Sequence, residues 1–280
     1  RLSSAPSGPT FKGYRRKNGA VGVRNEIWII PTVSCANHTA DVLAKLASVE
    51  FGDACDGIFA FPHNSGCSQL GDDHRMTQKL LAAIAKHPNA GGVLLVSLGC
   101  ENNNIHEFLP VLGDYDRDRF RVLVTQEAGD EIGTGLELLR ELAEIVKRDK
   151  RVRVPVSELK IAFKCGGSDS LSGVTANPLC GTVADRITSL GGSAVLTEVP
   201  EMFGAETILM NRADSRETFE KVVNLINSFK QYYLDYGQPV YENPSPGNKE
   251  GGITTLEEKS LGCVQKGGRA VVSDTLDYGE

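Results

Sequence analysis

Short apolar runs rich in β-branched residues recur along the chain. They alternate with stretches whose apolar residues fall at helical spacing. The runs are EIWIIPTV (Glu26–Val33), DGIFAF (Asp56–Phe61), GGVLLVSL (Gly91–Leu98), RFRVLVT (Arg119–Thr125), LKIAFK (Leu159–Lys164), SAVLTEV (Ser193–Val199) and RAVVS (Arg269–Ser273). Most are bounded by Gly, Pro or polar turn residues, as buried strands are. Between them, TADVLAKLASV, HRMTQKLLAAIAKH, IGTGLELLRELAEIVKR, TVADRITSL and RETFEKVVNLINSFKQYY repeat apolar positions every three or four residues, which predicts helices. This alternation predicts an α/β fold of mainly parallel sheets flanked by helices. The charged run KRDKRVRVP separates the longest early helix from a fresh strand. It divides the chain into a linker (residues 1–12), a first Rossmann-like lobe (13–155) and a second (156–280). The Pro- and Gly-rich segment YGQPVYENPSPGNKEGGITT is too long for a simple connection. Such loops are usually functional or disordered.

Composition narrows the classes. The chain has 280 residues, 40% hydrophobic and 24% charged, ordinary values for a soluble globular protein. A net charge of −6 and the absence of a dense basic patch argue against nucleic-acid binding. No apolar run is long enough to span a bilayer, and the first residues lack a hydrophobic signal core. Seven cysteines, an odd number, fit a reduced cytoplasmic protein better than an exported disulfide scaffold. The chain opens on Arg1 without an initiator Met and stops soon after an apparent strand, so a longer protein with a truncated second lobe is expected.

The unusual residues gather after the predicted strands. Cys35, Asn37 and His38 follow the first; His63, Asn64, Ser65 and Cys67 the second; Cys100, Glu101 and Asn102 the third; Gln126 and Glu127 the fourth. Cys165, Ser168 and Asp169 follow the fifth, and Glu198 and Glu201 the sixth. In parallel sheets these carboxyl ends share one edge, where ligands bind. Cys, His and Glu together suit iron or zinc. No CxxC pair and no HExxH occurs, so a metal site has to be assembled from separate loops. Cys55 and Cys180 read as small core residues. Cys35 and Cys263 stay open between core and site, whereas Cys67, Cys100 and Cys165 read as functional. His74, His87 and His106 read as surface or helix-end residues.

The run KCGGSDSLSGVTANPLCG (Lys164–Gly181) fits a strand, an anion-cradling loop at Gly166 and Gly167, and a helix start. Walker A, GxGxxG and GxSxG patterns are missing, which argues against nucleotide binding and serine hydrolysis. Lys249, set among Gly, Asn and Pro, reads as a partner for an anionic group or a proton-transfer residue. Lys259 lies on a predicted helix and is open between surface and site.

GYRRKNGAVGVRN, GCENN, CGGSDSLSGVTANP, EVPEMFGAE and NPSPGNKEGGITTLEEKSLG together resemble the altronate and galactarate dehydratase family, to which the (2R)-sulfolactate sulfo-lyase large subunit also belongs. The resemblance runs from about Phe11 to the end of the chain. EMFGAE and NPSPGNK look closer to the altronate branch. The resemblance implies a hydro-lyase that removes water from a sugar acid to give a 2-keto-3-deoxy acid. It implies iron(II), with manganese(II) or an iron–sulfur cluster as alternatives, and a small β-rich domain preceding this region. A homo-oligomer is also expected. Carried over by position, His63, Cys67, Cys100, Glu101 and Cys165 would lie at the metal. Ser168, Asp169 and Lys249 would be catalytic, and Gly166, Gly167, Asn177, Asn248 and Glu198 would bind substrate. Cys180 and Cys263 stand where many members carry small residues. A cation on the substrate carboxylate would stabilise the enediolate formed on loss of the α proton, with Lys249 or Asp169 as base. A cluster would draw on Cys67, Cys100 and Cys165, with one iron open. The competing readings are a carbon–sulfur lyase acting on sulfolactate, a non-catalytic ligand- or metal-binding module, and a structural zinc protein.

Overall fold

The computed structural model describes residues 8–277. The lead-in expected over residues 1–12 lies largely outside them. Two compact units emerge, one of Lys12–Val154 and one of Pro155–Leu276 together with the described residues up to Phe11.

The first unit contains β1 (Thr10–Arg15), β2 (Val21–Gly22), β3 (Glu26–Pro31), α1 (Asn37–Phe51), β4 (Ile58–Ala60), α2 (Gly71–Ala85), β5 (Ala90–Ser97), α3 (Ile105–Leu112), β6 (Phe120–Val124), α4 (Glu131–Val146) and β7 (Val152–Pro155). Its main sheet has the order β4-β3-β5-β6, parallel throughout. Side chains alternate across a strand, and both faces of a parallel sheet are covered. Hence the near-continuous apolar runs of β3 and β5. Ile27, Ile29, Leu94 and Val96 pack with Leu43 and Ala47 of α1 and Leu139 and Leu142 of α4. Trp28, Ile30, Val93 and Leu95 face the other way, onto Leu81 of α2 and Phe108 and Leu112 of α3. A small sheet, β2-β1-β7, includes an antiparallel β1–β2 pair that no apolar run announces.

The first strand of the main sheet, β3, sits between β4 and β5. The chain therefore leaves β3 to one side and returns on the other. This makes a topological switch point at the carboxyl ends of β3 and β5, the position at which open α/β sheets generally bind ligands. At the opposite end, Arg16 of the GYRRKNG motif is structural. It donates to the Pro88 carbonyl at 2.7 Å and to Asn25 Oδ1 at 2.8 Å, and pairs with Asp149, which Arg119 also holds.

The second unit contains β8 (Lys160–Phe163), α5 (Ala176–Ser189), β9 (Ser193–Leu196), α6 (Glu206–Met210), α7 (Arg216–Asp235), α8 (Pro246–Glu250) and α9 (Leu256–Gln265). β8 and β9 pair in parallel through the α5 crossover. Met202, Phe203, Leu209, Val222, Ile226 and Val264 form its core. The strand expected at Arg269–Ser273 is corrected to a single bridge, Ala213 to Val272. The Arg212 guanidinium takes the carbonyls of Gly267, Gly268 and Ala270, so no ladder can extend through them. The long Pro- and Gly-rich connection contains the short helix α8. No helix among the described residues is long and apolar enough to cross a membrane.

Ser215 caps α7 by accepting from the Thr218 N–H at 3.1 Å. Ser215→Ala is expected to cost about 1 kcal/mol in urea unfolding, the usual worth of such a cap.

Candidate active-site loops

At the switch point of the first unit, three loops interlock. The Ser34 N–H donates to the Ser65 carbonyl at 2.9 Å, and the Asn103 N–H donates to the Gly66 carbonyl at 3.2 Å. Asn103 Nδ2 donates to the Thr32 carbonyl at 2.8 Å. Gly66, at φ +97°, presses its α-carbon against the backbone of Thr32 and Val33, where a Cβ would strike the Thr32 carbonyl oxygen. Close approach and a left-handed φ both require glycine here.

Glu101 is 4% exposed. Its Oε1 accepts from Thr32 Oγ1 at 2.7 Å, Ser97 Oγ at 2.6 Å and the Leu98 N–H at 3.0 Å, and its Oε2 from the Gly99 N–H at 2.6 Å. Burial alone would raise its pKa, but the hydroxyls of Ser97 and Thr32 and the Gly99 N–H outweigh it and hold the carboxyl below its usual range. His63 is committed as well. Its Nε2 lies 2.8 Å from the Pro31 carbonyl, and its Nδ1 accepts from the Ser65 N–H at 3.1 Å, which makes Nε2 the protonated nitrogen. A single-ion site built on His63 and Glu101 does not fit this geometry, because their ligating atoms already hold the loops. Among the described residues, no group of three or more His, Cys, Asp and Glu side chains could hold one metal ion. The thiols of Cys67 and Cys100 are exposed on the same loops, and Gln126 Nε2 donates to Cys100 Sγ at 3.5 Å.

The second unit gathers the other residues around the loop after β8. Cys165 is fixed by its backbone N–H, which donates to Glu198 Oε2 at 2.5 Å. Glu198 itself adopts a left-handed φ of 65°, a strained conformation for a non-glycine residue. Lys259, 2% exposed on α9, directs its ammonium at Ser168 Oγ (2.8 Å), Cys165 Sγ (3.3 Å) and Glu201 Oε1 (3.0 Å). Burial pulls its pKa down, but hydrogen bonds to Glu201 and Cys165 prevail, so the ammonium stays charged. The Cys165 thiol would be raised by burial; the Ser168 hydroxyl, the Gly167 N–H and Lys259 bring it below its ordinary value instead. Asn248 Nδ2 donates to the Ser168 carbonyl at 2.8 Å, and the Ser170 N–H donates to the Gly251 carbonyl at 2.9 Å. These bonds tie the α8 turn, with exposed Lys249, to the loop. Asp169 is exposed and held ionised by the side-chain and backbone hydrogen bonds of Ser172. The Asn177 N–H, at the start of α5, donates to the Ser172 carbonyl at 2.9 Å. Gly166 and Gly167 face open space.

Lys259, Glu201, Cys263 and Lys266 were not assigned site roles from the sequence. Lys259, Cys263 and Lys266 follow each other at i, i+4 and i+7 in a stripe that also buries Val264, and two lysines on a buried stripe were the available sign. Cys263 Sγ donates to Glu201 Oε2 at 2.5 Å. Burial, then the bond to Glu201, push this thiol up to about 12. Its folded pKa lies above the unfolded one, so its contribution to stability is complete below the ordinary thiol value and is lost as pH rises toward 12. Between pH values of about 8 and about 10 the wild type should therefore lose more urea resistance than Cys263→Ala. Equal losses would show that the thiol is not held protonated.

Residues 13–147 match the family described as D-galactarate dehydratase/Altronate hydrolase, second domain, and residues 156–280 match D-galactarate/Altronate dehydratase, C-terminal. The chain belongs to the D-galactarate/altronate dehydratase family. It is 56% identical over 97% of its length to an altronate dehydratase of Bacillus subtilis (strain 168), covering 55% of that protein. It is 53% identical over 95% of its length to an altronate dehydratase of Escherichia coli (strain K12), covering 54% of it. A (2R)-sulfolactate sulfo-lyase subunit beta of Chromohalobacter salexigens is 32% identical over 98% of the chain, which covers 69% of that subunit. The chain thus spans about half the length of the altronate dehydratases it matches.

Proposed function

We propose that this chain is the catalytic portion of a hydro-lyase that dehydrates an altronate-like sugar acid to a 2-keto-3-deoxy acid. The observation that carries the reading is the Cys165–Ser172 loop, fastened by the buried Lys259 ammonium, in a chain 56% identical to an altronate dehydratase. Elimination beside a carboxylate needs a cationic group near that carboxylate, a base for the α proton and a proton for the departing hydroxyl. The open space beside Gly166 and Gly167, with Lys249 on the adjoining turn, can receive the carboxylate. Asp169, held as a carboxylate, is placed to take the α proton. Ser168 gives its proton to the leaving hydroxyl, and Lys259, which already donates to Ser168 Oγ, resupplies it. Glu198 and Asn248 keep the loop in register, and Asn177 anchors it to α5.

Seven free thiols suit a reducing compartment, so we place the protein in the cytoplasm. The proposal extends to a larger protein with a further small β-rich domain and to a homo-oligomer. Keto-acid formation by the full-length protein, assayed anaerobically with altronate, galactarate and (2R)-sulfolactate in parallel, tests the reading. Turnover of altronate, abolished by Asp169→Asn, is expected. Sulfite release from sulfolactate in preference to any keto acid would replace it with carbon–sulfur lysis, and turnover of none would sink it.

A further inference from the structure

The stretch EVPE brings two carboxylates to the loop after β8. Val199–Met202 forms one turn of 3-10 helix, and the Glu201 N–H closes it on the Glu198 carbonyl at 2.8 Å. Such a turn takes three residues, so Glu198 and Glu201 stand on the same side of it. Glu198 accepts from the Cys165 backbone, and Glu201 Oε1 lies 3.0 Å from Lys259 Nζ.

Lys259 has no donor left over. An ammonium carries three N–H groups. Three acceptors surround this one: Ser168 Oγ at 2.8 Å, Cys165 Sγ at 3.3 Å and Glu201 Oε1 at 3.0 Å. Lys259 therefore acts on a substrate only through Ser168, and whatever fixes the ammonium also fixes its hold on Ser168 Oγ. Glu201 is the carboxylate among the three. Burial alone would raise its pKa, but the hydrogen bonds from Cys263 and Lys259 bring it below its ordinary value, so it is ionised. Hydrogen bonds between charged groups are the strong ones.

Glu201 is gripped on its other oxygen as well. Cys263 Sγ donates to Oε2 at 2.5 Å, and Lys266 Nζ stands 3.9 Å from the same oxygen. Cys263 and Lys266 share a buried stripe of α9 with Lys259, so one helix holds the carboxylate at both ends. We propose that Glu201 is a positioning residue of the dehydratase site and that Cys263 supports it. Glu201 Oε1 keeps the Lys259 ammonium on Ser168 Oγ, and the Cys263 S–H keeps the Glu201 carboxylate turned toward Lys259. Both act through Lys259 and Ser168 rather than on substrate. The inference rests on the dehydratase reading for its effect on turnover, and on the side-chain geometry alone for the contact between Lys259 and Ser168.

The test measures kcat and KM for altronate on the full-length protein and on Glu201→Gln, Cys263→Ala and Cys263→Ser, with a crystal structure of each. Glu201→Gln keeps the shape of the side chain and removes its charge. It should lower kcat by about 100-fold, the loss that a displacement of about 1 Å brings, while KM stays within about 2-fold. Cys263→Ala should lower kcat by about 10-fold, the effect of losing one hydrogen bond. Cys263→Ser, whose hydroxyl can still donate to Glu201, should recover most of that loss. Equal losses in the two Cys263 variants would overturn the proposal, as would an unchanged kcat or a raised KM alone in Glu201→Gln. If Glu201→Gln does not fold, the Cys263 pair decides. If the wild type turns over no sugar acid, the dehydratase reading falls and the crystal structures judge the inference by themselves. Lys259 Nζ should then have left Ser168 Oγ in Glu201→Gln, and the Glu201 carboxylate should have turned from Lys259 in Cys263→Ala; both contacts kept as in the wild type would overturn it.

Discussion

Lys259→Met is expected to cost about 3 kcal/mol in urea unfolding, because it strands the Glu201 carboxylate in a mostly buried site. The Lys259 side chain is 1% exposed and that of Glu201 15%, so solvent does little to screen the pair. Lys266 lies 3.9 Å from both Glu201 and Glu198 and offsets only part of the loss, which is why the lower end of the range for broken buried pairs applies. Glu201→Gln in the same chain should recover a good part of the stability, since no charge is then left unpaired, and a double-mutant cycle reads the coupling. A second readout separates the ammonium's electrostatic role from its packing. The Cys165 thiol loses one of the groups that stabilise its ionised form. Alkylation of Cys165 by iodoacetamide at neutral pH, followed by peptide mass spectrometry, should slow in Lys259→Met. An unchanged rate would mean that Lys259 only fills space.

Gly66→Ala should lower the melting temperature by on the order of 10 °C, the shift expected for a loss of about 4 kcal/mol in a unit of this size. Two costs add. The left-handed φ of +97° disfavours any L side chain, by about 1–2 kcal/mol. The new methyl would also meet the carbonyl of Thr32 and the α-carbon of Val33, which are backbone atoms that cannot swing aside. Gly71→Ala is the control. It shares a positive φ, +55°, but faces open space, so it should cost only about 1 kcal/mol. If the two variants melted together, the close packing of the loops around Gly66 would be wrong.

Periodicity was enough to read the central sheet. β3 and β5 are apolar because helices cover both faces, and local composition records that directly. Where burial is partial the record fades. β1 and β2 alternate weakly and pair antiparallel, and they left no apolar run to detect. Arg269–Ser273 shows the opposite failure: its composition is strand-like, yet Arg212, more than fifty residues earlier, occupies the carbonyls a ladder would need.

The candidate site divides in the same way. The residue types after each strand could be read in order, because a parallel sheet delivers its carboxyl ends to one edge; the single edge expected is instead divided between two sheets, β4-β3-β5-β6 and β8-β9. What each side chain does at that edge depended on partners distant in sequence. His63 and Glu101 have the chemistry of ligands, but Pro31, Ser65, Thr32 and Ser97 claim their atoms. Cys35 could not be told from a core cysteine until its exposure was known. Lys259 could not be told from a surface lysine until α9 turned it onto Ser168 and Cys165, more than ninety residues earlier. The sequence by itself determined the fold class, the family and the order of polar, small and thiol residues after the strands, since these follow from local periodicity and motif. Only the tertiary structure decided which donors remain free and which charges are buried, because hydrogen bonding and desolvation depend on neighbours that the chain supplies from far away.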